Sequence, residues 1–145
     1  MLVSLGEKYG VFGVFDIGSE ASRLVHPALW ALQHTGQESS GIASSDGEKI
    51  YTHKGMGLVA HVYNEKILKT LKGYIAIGHN RYSTSKDSSP EHSQPVIKQD
   101  KLLALVHNGN LPSTRKLEKF LKRHGISTEG HNDSELMHLA IRFYL

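Results

Sequence analysis

Two oppositely charged residues, Arg81 and Asp133, have the side-chain types needed to hold a small zwitterionic ligand. Arg81 follows a near-continuous apolar segment, and its planar guanidinium could pair bidentately with a carboxylate such as that of an amino acid. The Asp133 carboxylate could take the ammonium group of the same ligand. Each residue also has a simpler interpretation, because Arg81 could form a surface ion pair and Asp133 could cap a helix. The residue types alone leave both interpretations open.

Apolar periodicity and turn residues predict the elements that would position these two side chains. Residues 10–15 alternate small and apolar side chains and predict a strand. A helix is predicted for residues 27–34, with a proline in its first turn and a glycine past its end. Residues 42–45 and 49–53 flank Asp46-Gly47, a pair typical of hairpin turns.

The second half of the sequence also alternates strand-like and helical patterns. A short helix is predicted around residues 67–71, and residues 75–78 and 102–106 predict strands buried on both faces. Two amphipathic helices follow, one stopped by Gly125 and one begun near Asp133. Antiparallel strands with helices packed outside them predict one α+β domain over residues 1–145.

Six short segments occur in a fixed order along the chain, and together they are more specific than any one of them. They are GVFG at 10–13, LQHTGQESSGI at 32–42, KGMGLV at 54–59, GHNRYST at 78–84 with Gln94-Pro95 after it, HNGNL at 107–111, and NDSE at 132–135. The set resembles the class II glutamine amidotransferases, and most of all the amidotransferase half of the amidophosphoribosyltransferase family.

The resemblance implies a fold and a reaction. The expected fold is α+β, an N-terminal nucleophile hydrolase four-layer α/β/β/α sandwich with antiparallel sheets. The family's later strands and its phosphoribosyltransferase domain are not recognisable, so residues 1–145 are expected to form a single, C-terminally truncated domain. The family reaction is glutamine hydrolysis to glutamate and ammonia, for transfer to phosphoribosyl diphosphate in purine synthesis.

Tyr9 occupies the position where the family has its nucleophilic cysteine. In the family, removal of the preceding residues frees the α-amino group of that cysteine, which serves as the base. Here eight residues precede Tyr9, and the chain has no cysteine. A phenol, with an ordinary pKa of about 10, is almost fully protonated at neutral pH and is a poor nucleophile. We therefore expect glutaminase activity to be absent or crippled.

The resemblance also assigns roles to the remaining site residues. Asn108 and Gly109 match the family's oxyanion hole, although an Asn-Gly turn that closes a strand is the simpler interpretation. Arg81 and Asp133 match the residues that hold the α-carboxylate and the α-ammonium group of glutamine. Two more residues match the substrate-binding loop: Tyr82 and Thr84.

Composition sets limits on partners and cofactors. The net charge of +3 and 39% hydrophobic residues are ordinary for a globular protein, so no nucleic-acid binding is expected. No metal site, cofactor or membrane segment is expected either, because compact metal-ligand spacings and long apolar runs are lacking. The lack of cysteine fits the cytoplasm. Glutamine is the expected ligand and a phosphoribosyltransferase domain or chain the expected partner, with a homo-oligomer left open.

Two further function classes compete with a domain that serves amidophosphoribosyl transfer. One is a pseudoenzyme, a binding module that still holds glutamine or docks on a synthase and regulates it. The other is an inactive fragment. A titration of the purified protein with glutamine separates these hypotheses.

Overall fold

The structure is a computed structural model that describes residues 9–35, 37–82, 90–98, 100 and 102–145. Within these ranges the strands are β1 (Tyr9–Phe15), β2 (Ser39–Ser45), β3 (Ile50–Met56), β4 (Ile75–Arg81), β5 (Val96–Ile97) and β6 (Ala104–Leu105). The helices are α1 (Ser22–Ala31), α2 (Val59–Val62), α3 (Glu65–Leu68), α4 (Arg115–Arg123) and α5 (Asp133–Phe143). Two single 3₁₀ turns cover Gln33–Thr35 and Pro90–His92.

The strands form two antiparallel sheets that pack between helices. The larger sheet has the order β1-β4-β2-β3, and β5 pairs with β6 in the smaller one. One face of the larger sheet is covered by α1, and its other face meets the segments that carry the smaller sheet, where His79 bonds to the carbonyl of His107. The smaller sheet packs in turn against α5, which packs against α4. This arrangement confirms the predicted α+β fold with antiparallel sheets.

The first helix packs on the larger sheet through Ala21, Val25 and Leu29, which follow one another at helical spacing and have no exposed surface. A Cβ atom added at Gly78 would lie 2.4 Å from Cγ1 of Val25, so glycine is needed for this close approach. The helix begins five residues before Pro27, which lies inside it. The predicted start at Pro27 was wrong, because the burial of Ala21 and Val25 against the sheet extends the helix upstream of the proline.

The hairpin of β2 and β3 and the short helix α3 confirm their predictions. The strand predicted at residues 102–106 is reduced to the two residues of β6, and Leu102 is 61% exposed. Among the described residues, β6 pairs only with β5, so its apolar side chains are half-buried. The prediction that this strand is buried on both faces was therefore wrong.

A chain of buried hydrogen bonds fixes the end of β4. Asn80, which has no exposed surface, donates from Nδ2 to the Leu29 carbonyl at 2.7 Å. Its Oδ1 accepts from the Ser40 hydroxyl at 2.8 Å, and that hydroxyl lies 3.1 Å from the Tyr63 hydroxyl. Because satisfied buried polar networks specify a single arrangement, this one holds α1 and β2 to the strand that ends at Arg81.

Candidate functional site

A polar cavity of about 110 Å³ opens where Tyr9 and Arg81 face each other across β1 and β4. Of the predicted site residues, Tyr9, Arg81, Gly109 and Asp133 line it. The other lining residues are His92, Gln94, His107, Asn110, Asn132 and Ser134. The walls are almost entirely polar, so the cavity suits a small ligand with several hydrogen-bonding groups.

The Arg81 guanidinium is held in place at the wall of this cavity. Its Nε lies 3.9 Å from Oε2 of Glu38, and a terminal nitrogen donates to the His92 carbonyl at 3.3 Å. The side chains of Arg81 and Glu38 are 19% and 12% exposed, so this ion pair is largely removed from the surface. An arginine carries five N–H donors, and these contacts with the described residues do not occupy all of them.

Asp133 is the first residue of α5 and is not its N-cap. Asn132 is the cap: its side chain accepts the N–H of Glu135 at 2.9 Å, and the Glu135 carboxylate accepts the N–H of Asn132 at 2.9 Å. The Asp133 carboxylate accepts the backbone N–H of Leu111 at 3.0 Å and that of Ser134 at 2.8 Å. These bonds orient the carboxylate at the cavity and leave lone pairs for an ammonium group. The capping interpretation of Asp133 was therefore wrong.

The two residues predicted as an oxyanion hole are placed differently. Gly109 lines the cavity, whereas Asn108 does not. The Asn108 amide nitrogen donates instead to the backbone carbonyl of Tyr9 at 3.1 Å. A Cβ atom at position 109 would lie 2.9 Å from Nε2 of His107, so the segment leaves no room for a side chain there. The structure thus offers the Gly109 backbone to a ligand and uses Asn108 to tie the segment to β1.

His107 and Ser134 lie beside Asp133 but do not form a nucleophile–base relay with it. The Ser134 hydroxyl lies 3.1 Å from Nδ1 of His107, and an Asp133 carboxylate oxygen lies 3.9 Å from the same nitrogen. In a catalytic triad the nucleophile and the acid contact opposite nitrogens of the ring. Ser134 is also 3% exposed. The arrangement therefore holds the His107 segment to α5.

His79 lies next to Tyr9, with ring centroids 5.6 Å apart, and is almost completely buried. Its Nε2 lies 3.2 Å from the His107 carbonyl and must carry the proton, because a carbonyl oxygen only accepts. Its Nδ1 is buried and has no hydrogen-bond partner among the residues that the structure describes. Burial lowers the pKa of His79 to about 4, so the imidazole is neutral at pH 7.

Tyr82 is 45% exposed and does not line the cavity, and Thr84 lies outside the described residues. The lining residues without a predicted role include Gln94, His107 and Asn110. All three belong to the quoted motifs, so the signal was present, but a motif does not show which of its side chains turn inward.

In the part of the chain that the structure describes, no group of three or more metal-ligating side chains is arranged to hold a metal ion. No helix within the described ranges has the length and apolar character needed to cross a bilayer.

Comparison with known proteins gives consistent matches. The family model described as a glutamine amidotransferase domain matches residues 79–143. The chain is 44% identical over 139 residues to the amidophosphoribosyltransferase of Synechococcus elongatus. The aligned residues cover 93% of this chain and 28% of that protein. It is 41% identical over 143 residues to the enzyme of the same name from Methanothermobacter thermautotrophicus, covering 95% and 30% of the two chains.

Solved structures agree in fold as well as in sequence. The glutamine phosphoribosylpyrophosphate amidotransferase of Bacillus subtilis, complexed with ADP and GMP, superposes with a TM-score of 0.76 and 38% identity. A structure described as the allosteric regulatory enzyme of purine biosynthesis gives a TM-score of 0.80 and 37% identity. Each comparison covers 91% of this chain and 29% of the other, so the chain spans less than a third of these relatives.

Proposed function

Because the chain contains a glutamine amidotransferase domain homologous to the N-terminal domain of amidophosphoribosyltransferase, we propose that its polar cavity binds glutamine. The observation that carries this proposal is that Arg81 and Asp133, which are 52 positions apart in sequence, line one cavity. The guanidinium pairs with the α-carboxylate of the ligand, and the aspartate takes its α-ammonium group. The Gly109 backbone at the same cavity faces the side-chain amide.

The second part of the proposal is that this chain binds glutamine without hydrolysing it. Tyr9 lines the cavity at the position of the family's nucleophile, and its phenol is a weak nucleophile at neutral pH. The described residues supply no replacement, since Ser134 is buried and shares a single nitrogen of His107 with Asp133. The family relationship further supports a phosphoribosyltransferase domain or chain as the partner and the cytoplasm as the location.

Calorimetric titration with glutamine tests the binding site. Arg81→Ala is expected to weaken glutamine binding by about 2–5 kcal/mol, roughly thirtyfold or more in Kd, because a ligand carboxylate is left unpaired in a shielded site. Arg115→Ala is the matched control, since Arg115 is exposed on α4 and does not line the cavity. An unchanged Kd in Arg81→Ala would contradict the site.

A further inference from the structure

The backbone of Gln94 is fixed against the larger sheet, directly over β2. A Cβ atom added at Gly41 would lie 2.1 Å from the Gln94 carbonyl oxygen, so the glycine is what allows this contact. Gln94 is 8% exposed and follows the 3₁₀ turn that ends at His92, whose carbonyl accepts from Arg81. The side chain of Gln94 is thus anchored on a rigid part of the fold.

The Gln94 side chain pairs with the backbone of His107 as one strand pairs with another. Its Oε1 accepts the His107 N–H at 2.6 Å, and its Nε2 donates to the His107 carbonyl at 3.2 Å. The buried His79 ring donates to the same carbonyl at 3.2 Å. The backbone groups of His107 are therefore held by two side chains, and Gly109, which lines the cavity, lies two residues further along.

The same amide nitrogen also contacts α5, the helix that carries Asp133. Nε2 of Gln94 lies 3.3 Å from the Ser134 hydroxyl, and the Ser134 N–H donates to the Asp133 carboxylate at 2.8 Å. This carboxamide thus joins the segment that carries Gly109 to α5, beside the direct bond from the Leu111 N–H to the Asp133 carboxylate at 3.0 Å. Since both partners of Gln94 are buried or half-buried, water competes weakly for these bonds.

We propose that Gln94 is a positioning residue that, together with the direct bond between Leu111 and Asp133, holds the Gly109 backbone at a fixed distance from the Asp133 carboxylate, and thereby selects the ligand by side-chain length. This inference rests on the proposed function, in which these two groups hold opposite ends of glutamine. Asparagine has the same functional groups on a side chain shorter by one methylene. It cannot reach both groups when their separation is fixed, so the separation that Gln94 maintains favours glutamine.

The test compares glutamine with asparagine in calorimetric titrations of the full chain. In Gln94→Ala, the Kd for asparagine divided by the Kd for glutamine is expected to fall by about tenfold. The substitution removes the hydrogen bonds of the Gln94 side chain, so the Gly109 segment and α5 are free to move relative to each other. Gln94→Glu keeps the acceptor for the His107 N–H and removes the donor, so it provides a second, nearly isosteric variant. Gln33→Ala is the matched control. The Gln33 side chain also accepts a backbone N–H, that of Val59 at 2.8 Å, but Gln33 does not line the cavity.

A second readout needs no ligand. Amide hydrogen exchange of His107 is expected to accelerate in Gln94→Ala and to stay unchanged in Gln33→Ala. Faster exchange with an unchanged glutamine-to-asparagine ratio would show a merely structural role for Gln94 and overturn the proposal, while the proposed function would stand. Unchanged exchange at His107 would overturn it directly. Failure of the unsubstituted chain to bind glutamine would remove the proposed function, and this inference with it.

Discussion

Ammonia release from glutamine is expected to stay at background with this chain and with Tyr9→Cys alone. The unsubstituted chain lacks a thiol, and in Tyr9→Cys the residues before position 9 still hold its α-amino group in a peptide bond. The measurement is an ammonia assay together with mass spectrometry for a covalent glutamyl adduct. Ammonia production by the unsubstituted chain that disappears in Tyr9→Phe would contradict the prediction, because it would show the phenol acting as nucleophile.

Glutaminase activity is expected when residue 9 carries both a thiol and a free α-amino group. In this variant Tyr9→Cys is combined with replacement of residues 1–8 by a single removable methionine. The new side chain would stand at the cavity that Arg81 and Asp133 line, and the Asn108 bond to the backbone carbonyl of residue 9 needs no side chain at that position.

The control for this rescue is the same shortened chain with Tyr9→Ala. It keeps the free amine but lacks the thiol, so ammonia release should remain at background. A shortened Tyr9→Cys variant that folds and binds glutamine without turnover would show that the defect lies elsewhere in the chain. That outcome would contradict the prediction that Tyr9 is the main reason for the lack of glutaminase activity, and it would leave the binding proposal intact.

The sequence was sufficient to predict that Arg81 and Asp133 belong together. Arg81 ends strand β4, and the antiparallel register places it opposite Tyr9, the residue that the resemblance aligns with the family's nucleophile. Asp133 is the first residue of an amphipathic helix, and the first turn of that helix lines the same cavity as Arg81. Periodicity predicted the strand before Arg81 and the helix at Asp133, whereas the family resemblance was what assigned the two residues to one ligand.

The contacts of Gln94, Asn108 and His79 could not be predicted in the same way. Gln94 bonds to a backbone 13 positions away and to a hydroxyl 40 positions away, so its role depends on how the two sheets stack. Asn108 looks like a ligand donor in its motif, but its amide is used by the Tyr9 carbonyl. Side-chain direction within an irregular segment is set by packing, and hydrophobic pattern does not specify it.

Acidification from pH 7 to pH 5 is expected to destabilise this protein through His79 by about 2 kcal/mol. The pKa of His79 is lowered from 6.5 to about 4 in the folded chain. Between those values the unfolded chain binds more protons than the folded one, so stability is present above pH 6.5 and is lost as the pH falls towards 4. Arg81 and His107, the charged or titratable neighbours, also disfavour the protonated ring.

Urea unfolding at both pH values measures this effect. His79→Gln keeps a donor for the His107 carbonyl but cannot be charged, so its stability should change less between pH 7 and pH 5 than that of the unsubstituted chain. His34→Gln, at an exposed histidine, is the control and should follow the unsubstituted chain. Parallel curves for His79→Gln and the unsubstituted chain would contradict the prediction. A flatter curve would show that protonation of the buried His79 ring, which donates to the His107 carbonyl, is what destabilises the fold at pH 5.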